Sequence, residues 1–490
     1  MNQKNPDSIS SLQEAGVSGD SPFIVIGAGL VGSLLSIYLS KRGFKTEIYE
    51  RRADMRKQKI SAGKSINLAL SDRGWKALQG VGIADEIKKI AIPMKGRMVH
   101  DIKGNTQFHP YGKEGQAIYS VSRAGLNCML MDLAEIKGAR IHFNERFTGT
   151  VAAPAPAGKS ASDDMYLKME NAATGKESAI PAKRIFGTDG AFSAARLHVQ
   201  LSTDRFEYSQ HYLDYGYKEL LIPPLENGDF ALEKNCLHIW ARGSFMMIAL
   251  PNIDCSFTCT LFLPFEGGLS FAALDTREKA EKFFRETFPD AVPVMPTLLH
   301  DFFANPTSSL VTIRCYPWSI HDKILLAGDA AHAIVPFFGQ GMNCGFEDCT
   351  VLEQIMEKHF GTNRKPEAVG ENNTWQNVFR EFQEARKPNA DAIADLAVAN
   401  FTEMRDLVTH PSFILQKKIE VRFSALHPGH WIPLYSMVTF SDLPYSAALK
   451  AGARQDAIMK KILATPGIEQ KWDSHEVEEM MLKLLKETAN

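Results

Sequence analysis

Sustained apolar patterning begins at Phe23. Phe23-Ile-Val-Ile26 is a short, wholly apolar run, as expected of a strand buried on both faces. Gly27-Ala-Gly29-Leu-Val-Gly32 follows, and apolar positions then recur at helical spacing from Leu30 to Arg42, with Gly43 as the stop. A second strand, Lys45 to Tyr49, ends at Glu50. Strand, helix and strand predict a βαβ opening.

Further along, the period changes. Residues 151–164, rich in Ala, Pro, Gly, Ser and Asp, predict an exposed loop between two strands. Arg205 to Phe265 is largely strand-like, with two clear runs, Leu237–Pro251 and Ser256–Pro264, joined by a turn at Asn252. These predict an antiparallel sheet in a second domain. Helical spacing returns at Arg277–Phe288 and stops before Pro289, and from Gly345 onward the chain reads mostly as helix. The final segment starts near Ser474 and sets Val477, Met481, Leu484 and Leu485 on one side. Its mixed charge predicts docking on the protein body, since membrane contact favours a basic polar face.

The fold class is therefore α/β: a Rossmann-type dinucleotide-binding domain, an antiparallel β-sheet substrate domain and a helical C-terminal region. The expected boundaries are a disordered N-terminus over 1–20, a dinucleotide domain over 21–200 completed by 310–360, sheet and helix over 201–309, and helices over 361–490 capping the substrate site.

Composition narrows the function classes. A chain of 490 residues, 44% apolar, exceeds the usual size of one domain. With 55 basic and 57 acidic residues the net charge is −2, which gives no field to draw in nucleic acid or anionic lipid. The seven cysteines are odd in number, and their spacing matches neither a disulfide framework nor a zinc site, so no metal is expected. Cys255 and Cys259 lie in a strand-like run that places both on one face. The first 20 residues carry no apolar signal core, and no run approaches the roughly 18 apolar residues of a membrane span. A soluble cytoplasmic protein is the expectation.

The glycine fingerprint has the context that makes it informative: a strand before it, a helix after it, and an acid closing the next strand. Gly27 allows the tight turn, Gly29 lets the backbone approach a pyrophosphate, and Gly32 lets helix and strand pack closely. The helix start offers free N–H groups to phosphate, and Glu50 is placed to accept from ribose hydroxyls. The fingerprint alone fits NAD or FAD. A second anion-seeking element lies nearly 300 residues later: Lys323 to His332 is a buried strand running into Gly328-Asp329, followed by Pro336-Phe-Phe-Gly339-Gln-Gly341-Met-Asn343 at a helix start. Two such sites suit a long cofactor, FAD, with Asp329 on the ribityl chain and the N–H groups near Gly341, Met342 and Asn343 facing the electron-rich flavin edge.

Gly27-x-Gly29-x-x-Gly32, Asp189-Gly190 and Gly328-Asp329, in this order, resemble the signature of the single-component FAD-dependent aromatic hydroxylases. Lys64-Ser-Ile-Asn-Leu-Ala-Leu70, Gly96-Arg97-Met-Val-His100, Pro110-Tyr111-Gly112, the run from Pro336 through Glu347, Asn400-Phe-Thr-Glu-Met-Arg405 and Ile432 to Phe440 are similar to segments of the kynurenine 3-monooxygenase family. The resemblance implies FAD as the bound cofactor, NADPH as a transient co-substrate without a second Rossmann domain, and hydroxylation of L-kynurenine to 3-hydroxykynurenine with O2 through a flavin C4a-hydroperoxide. It implies that Arg97, Tyr111, Asn400 and Tyr435 bind the amino-acid end of the substrate. Ala69, Arg123 and Asp189 join the cofactor set. No protein residue is assigned as catalytic, because the flavin carries the chemistry. His332 is read as structural support near the flavin. Phe245, Met246, Met247, Pro336, Phe337 and Phe338 are candidates for an apolar wall around the substrate ring. A hydroxylase of another aromatic compound and a non-catalytic binding protein on a dinucleotide fold are the competing readings. The choice of NADPH over NADH and the oligomeric state are not settled by these residues.

Overall fold

The computed structural model describes residues 21–57, 66–111, 115–152, 165–362, 372–407 and 410–488. Expectations for 1–20, for most of 151–164, and for Lys64, Ser65 and Gly112 lie outside the described residues.

Strand Phe23–Ile26 is buried throughout and sits inside a six-stranded sheet. It pairs in parallel with Thr46–Glu50 on one side and Arg184–Gly187 on the other. Arg140–Phe143 extends the first side and Ile324–Leu326 the second, both in parallel. Strand order thus reverses at Phe23–Ile26, and the crevice beyond the carboxyl end of that strand is where such sheets bind ligands. The fingerprint helix is Leu30–Lys41, and Gly43 just past it has φ +82°. A Cβ on Gly32 would lie 2.0 Å from the Gly27 carbonyl oxygen and 2.5 Å from Thr188 Oγ1, so only glycine lets this helix sit against its own turn.

The second sheet has seven strands, in the order Ser308–Tyr316, Glu207–Ile222, Phe257–Pro264, Met246–Pro251, Cys236–Ala241, Gly96–His100 and Thr106–Pro110. All neighbours are antiparallel except Gly96–His100 with Cys236–Ala241. Three expectations are corrected here. The sheet is not confined to 201–309: the hairpin 96–110, assigned by sequence to the first domain, covers the open edge of Cys236–Ala241, a non-local pairing that local pattern does not reveal. The run Leu237–Pro251 is two strands rather than one, folded at Gly243 (φ +76°) with Arg242 N–H donating to the Phe245 carbonyl at 2.9 Å. Cys255 does not share a strand face with Cys259, because it sits in the preceding turn at φ +65° while Cys259 is buried in the strand.

Period-2 alternation divides this sheet into two faces. One packs against helices Arg277–Thr287 and Leu298–Ala304 through Trp240, Phe283, Phe284 and Phe288. The other meets Pro336–Phe338 and the long helix Asn372–Thr402 through Met246, Phe262, Phe337 and Phe401. A last cluster joins helices Pro411–Leu426, Tyr445–Leu463 and His475–Glu487. Val477 and Met481 face inward there, and Ser474 Oγ caps the final helix by accepting from Val477 N–H, so the segment docks on the protein body as its pattern predicts. No described helix is long and apolar enough to cross a membrane.

Candidate active site

A cleft of about 350 Å³ runs from the fingerprint turn to the second sheet. Gly29, Leu30 and Val31 form one end, Arg97 and Tyr435 the other, and Ala69, Arg123, Asp329, Gly341 and Met342 lie between. Two helices open onto it by their N-termini. Leu30–Lys41 starts after Gly29 and Gly341–Phe360 after Gln340, and neither has a side-chain cap. Their free N–H groups and dipoles favour anionic ligand groups.

The two motifs meet through Val31. A Cβ on Gly328 would lie 2.9 Å from Val31 Cγ2, and one on Gly345 2.6 Å from the same atom. Gly328 also has φ +61°, which turns the chain so that Asp329 enters the cleft. Burial raises the Asp329 carboxyl above its ordinary range, against Arg123 and His332, which lower it. Glu50 Oε2 accepts from Ala28 N–H at 3.0 Å, which holds the acid beside the glycine turn. Around a Cβ placed on Gly29, apart from its chain neighbours, no atom of the described residues lies within 4 Å. These features fit FAD: open space at the pyrophosphate glycine, Glu50 beside the glycine turn, Arg123 and Asp329 along the cleft, and a second helix start for the flavin edge.

Some expected cofactor residues act through the backbone instead. The Asp189 carboxylate accepts from Ala194 N–H at 2.7 Å and Ala195 N–H at 3.1 Å, as well as from Ser193 Oγ, so it caps helix Ala194–Leu201. Gly190 and Ala191 are what face the cleft. The Asn343 side chain donates to the Ala69 and Gly339 carbonyls at 2.8 Å each and accepts from Ser71 N–H at 3.0 Å, fastening strand Asn67–Leu70 to the helix.

At the far end, Arg97 and Tyr111 come from adjacent strands of one hairpin and its exit, and Tyr435 from the short helix Leu434–Thr439. Tyr111 and Tyr435 stack at 5.4 Å, and the Arg97 guanidinium carbon lies 4.5 Å from the Tyr435 ring centre. Burial works against the Arg97 charge, but the electron-rich tyrosines and Glu403 outweigh it and hold its pKa above the ordinary value. Arg97 Nε is buried with no hydrogen-bond partner among the described residues, and the Tyr111 hydroxyl lies against Arg97 and Tyr435. Asn400 stands behind this group: its amide donates to the Phe337 carbonyl at 2.7 Å, which holds the apolar wall in place.

Met246, Pro336, Phe337 and Phe338 line the cleft as expected. Phe245 and Met247 do not, since they point to the opposite face of the sheet and pack with Trp240, Phe283 and Phe288. Ile248 and Phe262 complete the wall. Alternation from Met246 would have found Ile248. His332 is buried outside the cleft lining, with Nε2 2.6 Å from Asp348 Oδ2, in agreement with a structural role.

The family described as FAD binding domain matches residues 20–369. Kynurenine 3-monooxygenase of Flavobacterium johnsoniae is 49% identical over 461 residues, 94% of this chain and 98% of the relative. The Dictyostelium discoideum enzyme of that name is 44% identical over 91% of this chain and 93% of its own, and that of Sus scrofa 42% over 87% and 85%. Among solved structures, tetrameric 2-methyl-3-hydroxypyridine-5-carboxylic acid oxygenase has a TM-score of 0.59 at 19% identity, covering 84% of this chain and 98% of its own. Klebsiella pneumoniae HpxO complexed with FAD and uric acid has a TM-score of 0.60 at 18% identity, covering 83% and 93%, and these two likenesses concern the fold. With its glycine fingerprint, its Gly328-Asp329 turn and its Arg97 pocket on one cleft, the chain belongs to the kynurenine 3-monooxygenase family of FAD-dependent aromatic hydroxylases.

Proposed function

We propose that the protein hydroxylates L-kynurenine to 3-hydroxykynurenine with NADPH and dioxygen. The observation that carries this reading is Arg97: a half-buried cation against the Tyr435 ring and beside the Tyr111 hydroxyl, at the apolar end of the cleft. Its planar fork suits a carboxylate. The relatives' name supplies an amino acid with an aromatic side chain, whose carboxylate and ring match the two ends of this pocket.

FAD, when bound, supplies reduction by pyridine nucleotide and activation of dioxygen. Gly29 and the start of Leu30–Lys41 would hold its pyrophosphate, with Glu50, Arg123 and Asp329 along its length. Arg97 binds the substrate carboxylate, and the Tyr111 and Tyr435 hydroxyls orient the amino-acid end. Met246, Phe337 and Phe338 keep water from the ring and hold it in place. The aniline amino group already activates the ring carbon ortho to it, so the protein's task is alignment and dryness. Asn400 serves by fixing the Phe337 backbone. We place the enzyme in the cytoplasm, a reading supported by its seven free cysteines.

The test is product identification. Holoenzyme with NADPH and air should convert L-kynurenine to a product one oxygen atom heavier, substituted ortho to the amino group, and should leave an analogue lacking the α-carboxylate almost untouched. Equal turnover of that analogue would overturn the assignment of Arg97. Hydroxylation at another ring carbon would overturn the proposed alignment.

A further inference from the structure

Behind the cleft, a buried chain of ion pairs joins its substrate end to its cofactor end. Arg73, on the helix Asp72–Gly80, has a side chain 1% exposed. Its Nε donates to the Val438 carbonyl at 3.2 Å and its Nη2 to the Leu443 carbonyl, while Nη1 pairs with Glu347 Oε1. Glu347 Oε2 pairs with Arg386 at 2.5 Å, and Arg386 Nε with Asp348 Oδ1 at 2.7 Å. Asp348 Oδ2 then accepts from the Gly328 N–H at 2.8 Å. One end of this chain therefore holds the helix that carries Tyr435, and the other holds the turn that places Asp329.

We infer that Arg73 is a positioning residue that links occupancy of the Arg97–Tyr435 pocket to the Gly328–Asp329 turn, so that substrate and FAD strengthen each other's binding. The inference rests on the proposed function for the identity of the substrate. Val438 lies one helical turn from Tyr435, so a shift of Tyr435 onto a ligand moves the carbonyl that Arg73 holds. Glu347 and Asp348 are neighbours near the start of one helix, Gly341–Phe360, whose first residues line the cleft, which makes the connection short and stiff. The guanidinium reaches three acceptors from two chain segments, and a lysine would reach only one of them securely. Coupling between two sites is a measurable free energy and must be reciprocal, so it is read as a ratio of affinities rather than as an activity.

The experiment follows FAD release from diluted holoenzyme by the rise of free-flavin fluorescence, with and without saturating L-kynurenine. The wild type should hold FAD about fivefold or more tightly with L-kynurenine present. In Arg73→Gln and in Arg73→Lys that ratio should fall below about twofold, whatever the FAD affinity alone becomes. Arg184→Lys perturbs a similarly buried ion pair, with Asp322, in the first sheet and should keep the wild-type ratio despite any loss of melting temperature. Should Arg73 variants fail to fold, Glu347→Gln keeps the shape of the connection and removes its charge, with the same predicted loss. A wild-type ratio retained in Arg73→Gln or Glu347→Gln overturns the inference, as does a wild-type enzyme that turns over L-kynurenine yet shows no ratio. A wild type that neither binds nor turns over L-kynurenine removes the functional reading itself, and this inference with it.

Discussion

The guanidinium carbon of Arg97 lies 4.5 Å from the centre of the Tyr435 ring, and Tyr435, Tyr111 and Glu403 together hold its charge. Its role is therefore read in substrate binding more than in stability. Arg97→Met should leave the melting temperature within a few degrees of the wild type, since it exchanges a charge held by Tyr435, Tyr111 and Glu403 for apolar packing of similar length. The same variant should weaken L-kynurenine binding by about 1.5–3 kcal/mol, roughly 10- to 150-fold in Kd, while FAD stays bound. Thermal melts and a substrate titration check both halves. An unchanged substrate Kd sinks the assignment.

The glycines of the fingerprint separate folding from cofactor binding. Around Gly29 there is room for a side chain, whereas at Gly32 a Cβ would meet the Gly27 carbonyl oxygen at 2.0 Å. Gly29→Ala should fold like the wild type and lose FAD affinity, because the methyl group occupies the pyrophosphate's approach. Gly32→Ala should be poorly folded even with excess FAD. Circular dichroism with flavin fluorescence distinguishes them, and normal FAD binding by Gly29→Ala contradicts the placement.

Glu50 makes a similar prediction from the other side of the turn. Its carboxylate accepts from Ala28 N–H at 3.0 Å and Arg52 N–H at 2.9 Å. Glu50→Ala should release FAD more readily in a gel-filtration retention assay. A variant as yellow as the wild type, with the same FAD affinity, would count against the ribose role.

The His332–Asp348 pair makes stability depend on pH. Burial opposes the His332 charge, but Asp348 overrides it and raises the imidazole well above its ordinary value. That contribution is complete below the unfolded-state value near 6.5 and is lost as pH rises through the raised folded value. Burial would raise Asp348, yet His332 and Arg386 bring it to about 2, so its contribution is complete above about 3.9 and is lost as pH falls toward 2. Urea midpoints should thus decline on the alkaline side above about pH 6.5, and His332→Gln should flatten that decline. Asp348→Asn should cost about 3–5 kcal/mol near neutrality by stranding Arg386 and His332.

Much of the cofactor half is legible in the chain because its signals are local. A strand, a spaced glycine turn and a terminal acid occupy 28 consecutive residues from Phe23 to Glu50, and Gly328-Asp329 repeats the device in miniature. The substrate half is legible mainly through resemblance, since Arg97, Tyr111 and Tyr435 meet only when a hairpin and a helix more than 300 residues apart pack together. The hairpin 96–110 joins the second sheet for the same non-local reason. The faces of Phe245 and Met247 are not legible in the sequence, because an unbroken apolar run does not say which face is which until the Gly243 turn sets the alternation. The chain Arg73–Glu347–Arg386–Asp348 has no sequence motif at all, because buried ion pairs between distant helices follow no spacing rule.

The most direct test of the whole account is the stoichiometry of NADPH oxidised to 3-hydroxykynurenine formed, measured on purified holoenzyme with and without L-kynurenine. L-Kynurenine should stimulate NADPH oxidation strongly, with nearly one product per NADPH consumed. Stimulation without hydroxylated product, or no response to L-kynurenine from a fully flavinylated protein, would contradict it.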